Sequence, residues 1–337
     1  MSELQIGLIS LGVVLIVVVL CFNWWQDRRV RQRMQEHFPE GEHDPLMGGV
    51  SSGRREPGMS SLAQRDGADD EEAEADPTCE AVIDIGFAQP VPGLQLYQAI
   101  RDVDKVGGKP VRVFATHDGN VHRMRLREDE SYDSLQLAVL LANRSGALTD
   151  IEWSHLWAIA QSLAERFDGS VEGPEQAQVL ARARELDALC ADLDATVGLT
   201  LKLRGTQPVA DVAQVLKNTG FLPYGRQMAW MSDSGVPRFT VLFDGLLVDD
   251  VQSAGVDKLD LLLDLPNSPS DEQAFSRMAS VGRDLAARLD AELIDDQGRP
   301  LADGADHTID AQLFQLYAKL ESQGFPACDA RTVRLFS

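Results

Sequence analysis

Histidine, cysteine and carboxylate side chains are the groups that could do chemistry in this chain, and their spacing argues against it. The six histidines are His37, His43, His117, His122, His155 and His307. None forms an HExxH or another compact ligand pair. His117-Asp118 falls in a turn, where Asp is an ordinary turn former. Cys21, Cys79, Cys190 and Cys328 are far apart and include no CxxC, so neither a zinc site nor a disulfide framework follows. Asp249-Asp250 and Asp295-Asp296 are adjacent pairs, and neighbouring side chains on regular elements point apart. No phosphate-binding GxxxxGK[ST] and no GxSxG nucleophile turn occurs. The reading is of a protein that is not an enzyme, with no catalytic residue, no cofactor and no metal.

Charge narrows the partners. The 337 residues include 53 acidic and 31 basic side chains, a net charge of −22. A body this acidic is repelled by nucleic-acid phosphates and anionic lipid headgroups. The chemistry left is recognition of a protein.

The elements that would position such a surface read off in order. From Ile6 to Phe22 the chain runs IGLISLGVVLIVVVLCF, with no charge between Glu3 and Asp27. A helix of that length spans roughly 26 Å, close to a bilayer's hydrocarbon core. Trp24 and Trp25 suit the headgroup level, and Arg28, Arg29, Arg31 and Arg33 follow on what the positive-inside rule makes the cytoplasmic side. The basic cluster comes after the apolar run rather than before it, unlike a cleaved signal. The expectation is a short periplasmic end at 1–5 and a transmembrane helix at 6–25. A basic juxtamembrane segment and disordered acidic linker follow at 26–77, ending in the run DGADDEEAEAD.

Beyond the linker the chain repeats itself. PVRVFATHDGNVHRMRL matches QMAWMSDSGVPRFTVLF, LQLAVLLAN matches LDLLLDLPN, and SLAERFDGSV matches DLAARLDAEL, in the same order and at offsets of 115, 124 and 122. Tandem copies are expected at 78–192 and 195–325, with a tail at 326–337. In the second copy Val197, Leu199, Leu201 and Leu203 alternate with Gly198, Thr200 and Lys202, a strand with one apolar face. VADVAQVLKNTGF reads as a helix stopped by Gly220. A hairpin follows over 227–231 and 238–243, then a strand over 259–265. A helix opens at Ser270-Asp271-Glu272, with Phe275, Met278, Leu285 and Leu289 inward. A short strand at 292–294 and a last helix over about 310–321 complete the copy. The fold class is α+β: an N-terminal transmembrane helix, a disordered acidic linker and two tandem split β-α-β domains. Each domain carries an antiparallel sheet covered by helices on one face.

The layout, with VLKNTGF, LDLLLDLP and LAARLDAELIDDQGRPL, resembles the ZipA family of FtsZ-binding membrane anchors. The resemblance implies a division adaptor in the bacterial inner membrane, at the septum. It would bind the FtsZ carboxy-terminal tail in a shallow apolar groove on the open sheet face. Carried over by strand, the groove positions are Gly198, Thr200, Arg226 and Leu262. Met228 and Trp230 add apolar surface if their strand presents them outward, and are core if it does not. The first copy has Ala138 in place of Leu262, which implies a lost or changed groove. Self-association and other divisome proteins are further partners the resemblance implies. The polar residues at Thr200 and Arg226 keep open a membrane-anchored scaffold for a different division or envelope protein.

Overall fold

In a computed structural model the described residues are 74–117, 121–252, 255–295, 298–301 and 304–337. The expected span at 6–25 and nearly all of the linker lie outside them. No helix among the described residues is long and apolar enough to cross a membrane.

The first lobe comprises β1 (Glu80–Pro92), α1 (Gly93–Ile100), β2 (Lys105–Val106), β3 (Lys109–His117), β4 (Val121–Arg123), β5 (Ser131–Leu140), β6 (Ala142–Asn143), β7 (Gly146–Ala147), α2 (Asp150–Arg166), β8 (Gly169–Glu172) and α3 (Gln176–Leu193). The second comprises β9 (Thr196–Pro208), α4 (Val209–Thr219), β10 (Leu222–Tyr224), β11 (Gln227–Met231), β12 (Pro237–Phe243), β13 (Gly255–Asp264), α5 (Ala274–Leu289), β14 (Ala291–Ile294), α6 (Ala305–Ser322) and α7 (Ala330–Leu335). The sheet orders are β2-β3-β5-β1-β8, with β4 also on β3, and β10-β11-β12-β13-β9-β14. Every pairing within them is antiparallel.

Alternation decides which face each sheet buries. Leu199, Leu201 and Leu203 of β9 and Leu259, Leu261 and Leu263 of β13 point to one side and are buried. Phe275, Met278, Leu285 and Leu289 of α5 close that side. Each such side chain contributes about 1.5–3 kcal/mol on burial. Gly282 brings α5 onto the sheet: a Cβ there would stand 3.1 Å from Leu293 and 3.4 Å from Leu261. Helix ends are satisfied locally or at a distance. Thr149 and Glu152 form a capping box at α2. α5 begins at Ala274 rather than at Ser270, and its cap comes from α6. The buried Asp310 carboxylate accepts from the backbone N–H of Phe275 at 2.8 Å and of Ser276 at 3.2 Å.

The two sheets can be compared by the order of their pairings. Ile83 faces Leu137 and Ile85 faces Val171; Leu199 faces Leu261 and Leu201 faces Leu293. Leu137 to Leu261 is the offset of 124, and Val171 to Leu293 the offset of 122. The first matched segment needs correction. β3 pairs directly with β5, Val113 opposite Leu137, just as β12 pairs with β13, Val241 opposite Leu261. By its place in the sheet β3 sits as β12 does, rather than as β11 does. At the place of β11 the first lobe has only the two-residue β2.

Two clusters join the lobes. Arg144 donates to Asp194 at 2.7 and 3.0 Å and to Asp264 at 2.6 and 2.7 Å. The guanidinium's fork geometry matches both carboxylates, and these bonds hold its pKa above the ordinary arginine value against the opposing effect of burial. The second cluster involves α7. The residues read as a tail fold back: Leu335 and Phe336 are buried, and Asn267 Nδ2 donates to the Phe336 carbonyl. Arg334 donates to Glu80 at 2.9 Å and Arg331 to Asp76 at 2.5 Å. Burial alone would raise the Asp76 pKa; hydrogen bonds from Arg331 and the Thr78 N–H hold it below the ordinary carboxylate value.

Candidate functional site

The second sheet has one face against helices and one without. Pairing builds a row across the free face. Leu222 stands opposite Ala229, Ala229 opposite Thr240, Thr240 opposite Leu262, and Leu262 opposite Gly198. Cross-strand neighbours share a face, so these five residues align over five strands, but Ala229 is fully buried and the accessible part is Thr240, Leu262 and Gly198, with Leu222 at the edge. Leu262 is half-buried and Leu222 is 54% exposed. Gly198 is the floor: a Cβ there would stand 3.3 Å from the Leu262 methyl. Any larger residue would lift Leu262 or fill the hollow beside it. Leu246, 49% exposed, adds apolar surface in the turn after β12.

The next row is polar at its centre. Leu242 faces Asp260, Asp260 faces Thr200, and Thr200 faces Ile294. Thr200 Oγ1 donates to Asp260 at 2.7 Å, and Lys258 Nζ to the same carboxylate at 3.0 Å. Beyond them a groove of about 460 Å³ is lined by Thr200, Lys202, Arg204, Thr206, Lys258 and Ile294 among others. At the opposite end Asp264, two residues past Leu262 and on the same side, is held by Arg144 of the first lobe.

Of the positions expected to line a groove, Gly198, Thr200 and Leu262 come together on this face. Met228 and Trp230 do not. Met228 pairs with Val241 and is only 3% exposed. Trp230 pairs with Phe239 and lies parallel to its ring, with centroids 6.0 Å apart, while Phe221 packs edge-on at 5.5 Å. Both belong to the core face. Gly220, with φ of 122°, ends α4 where a Cβ would stand 3.1 Å from the Trp230 ring, so the indole and the helix stop fit one another. Arg226 precedes β11 and pairs with Asp250. Leu222, Ala229, Thr240 and Leu242 were not foreseen. The alternation of β12 carried the signal for Thr240 and Leu242; β10 is three residues long and carries none.

In the first lobe the same register is filled. Ala138 and Phe114 are buried. Arg112 lies over the Phe114 ring at 4.9 Å and pairs with Glu80, which also accepts from Arg334 of α7. Among the described residues no group of three or more His, Cys, Asp or Glu is placed to hold a metal ion.

Residues 243–312 match the family model described as ZipA, C-terminal FtsZ-binding domain. The match takes in β13, α5, β14 and the start of α6, and with them Leu262. This stretch of the second lobe is thus similar to an FtsZ-binding domain of a division protein. No curated protein matches the sequence significantly.

Proposed function

We propose that this chain, a member of the ZipA family through its second lobe, tethers FtsZ filaments to the bacterial inner membrane. The FtsZ carboxy-terminal tail docks on the Thr240–Leu262–Gly198 row, with Leu222 at its far edge. The observation that carries the reading is this apolar row on a helix-free face of the lobe that holds the family match. A sheet whose strands are already paired offers its face rather than its edge. The tail therefore gains apolar contact without ordering the protein, and the main cost is its own ordering.

The apolar run at 6–25 and the arginines at 28–33 supply the anchor, with the body in the cytoplasm at the division septum. The linker gives reach. Many anchored copies along one filament convert a modest single-site affinity into firm attachment. The first lobe serves as a diverged copy, its own face closed by Arg112, Glu80 and α7, and acts as a brace for the second.

Amide NMR of the folded body, titrated with the FtsZ tail peptide, tests the docking face. Saturable shifts on residues 198–202, 240–242 and 260–262 support it; shifts confined to the first lobe contradict it. Trp230 lies on the core face, so its fluorescence is not the direct reporter of binding.

A further inference from the structure

The face carries a feature that an apolar row does not require. Lys202 of β9 stands directly opposite Lys258 of β13. Like charges opposed across a sheet are destabilising, so the fold alone does not favour this pair. Nor does a general excess of cations explain it: residues 195–325 hold 19 acidic and 11 basic side chains. Most of those cations are engaged. Arg238 and Arg277 share Asp271, Arg283 pairs with Asp306, Arg288 with Asp284 and Arg299 with Asp295. Lys202 makes no ion pair within 4.0 Å with a described residue, although Glu292 stands directly opposite it on β14. Lys258 shares Asp260 with Thr200. Among the described residues Arg204 forms an ion pair only with the largely exposed Asp290, at 3.4 Å. The one acid in the groove lining, Asp257, accepts from Thr206 Oγ1 at 2.6 Å.

We propose that this notch, formed by Lys202, Arg204 and Lys258, receives an acidic side chain of the polypeptide that docks on the apolar row. The inference rests on the docking reading above and adds to it a charge requirement on the ligand. Two observations give it direction. Arg144 and Asp264 close one end of the strands, so a ligand segment that leaves the row along β9 and β13 runs toward the notch. Gly198 and Lys202 are four residues apart on one strand, roughly 13 Å. A ligand segment that follows β9 therefore places its carboxylate about four residues from its apolar anchor.

The test is calorimetric titration of the full chain in lipid nanodiscs with the FtsZ tail peptide, at low and high ionic strength. The variants are Lys202→Glu, Lys202→Ala and, as a control on the row, Leu262→Asp. Lys202 is exposed, and unchanged amide spectra establish that its variants fold. Lys202→Glu is expected to weaken binding about 5–10-fold at low salt and Lys202→Ala less, with the difference from wild type shrinking at high salt. Replacing the acidic residue of the peptide by its amide should then make Lys202→Glu nearly silent. If Leu262→Asp abolishes binding while both Lys202 variants bind like wild type at low salt, the notch is overturned and the docking face stands. If neither position matters, the docking face itself fails and the notch with it.

Discussion

Removing the Arg144 side chain should uncouple the lobes. Its guanidinium makes four charge-assisted hydrogen bonds, two to Asp194 and two to Asp264. Arg144→Ala would leave two carboxylates facing each other with no counter-charge. Breaking a fully buried pair costs about 3–5 kcal/mol. Here the three side chains retain 26–31% exposure, so water partly rehydrates the acids. We discount the loss to about 2–3 kcal/mol. With a urea dependence near 3 kcal/mol per molar, the midpoint falls by about 1 M. Unfolding of residues 74–337 can be followed separately through Trp153 and Trp157 in the first lobe and Trp230 in the second. In the wild type the two signals should change together; in Arg144→Ala they should separate. Arg144→Lys keeps the charge but loses the fork, and should fall between. A midpoint within about 0.2 M of wild type, or wild-type lobes that already unfold apart, would refute the reasoning.

Other consequences are open to measurement. Met228→Ala should cost about 2–5 kcal/mol of stability while leaving tail affinity within about twofold, because Met228 is core and not groove; calorimetry and urea melts on one preparation separate the two effects. The α7 clasp should weaken in acid. The Asp76 pKa is depressed below its unfolded value of 3.8. Its contribution is therefore complete above pH 3.8 and lost as pH falls through the lower folded value. The stability gap between wild type and Asp76→Asn should hold at neutral pH and vanish in that acid range. Burial pushes the Cys79 and Cys190 thiols up to about 12. At pH 8 iodoacetamide should, in residues 74–337, label the partly exposed Cys328 first and Cys79 and Cys190 only on unfolding, as peptide mapping would show.

The second lobe was largely legible because its signals are local. Alternation along Val197–Leu203 and Leu259–Leu265 points to β9 and β13 with their faces, and Gly220 to the end of α4. Non-local facts were not legible. Whether Met228 and Trp230 face in or out depends on their register against Val241 and Phe239, which no spacing within 227–231 reveals. Arg144, Asp194 and Asp264 lie 50 and 120 residues apart, and only the packed lobes bring them together. Segment matching misplaced β3 because a hairpin turn looks alike whichever strand it precedes; the pairing of Val113 with Leu137 decides the matter. The closing segment looked like a tail because α7 is short. Its apolar pair Leu335-Phe336 was the available sign that it docks.

The central claim is that the Leu262 row docks the FtsZ tail. The most direct test is the affinity of the tail peptide for wild type and for Leu262→Asp, with an unfolding midpoint measured on each. Leu262 is half-buried on the free face, so a charge there should weaken binding at least about tenfold while the midpoint stays close to wild type. Equal affinity of the two folded proteins would contradict the account.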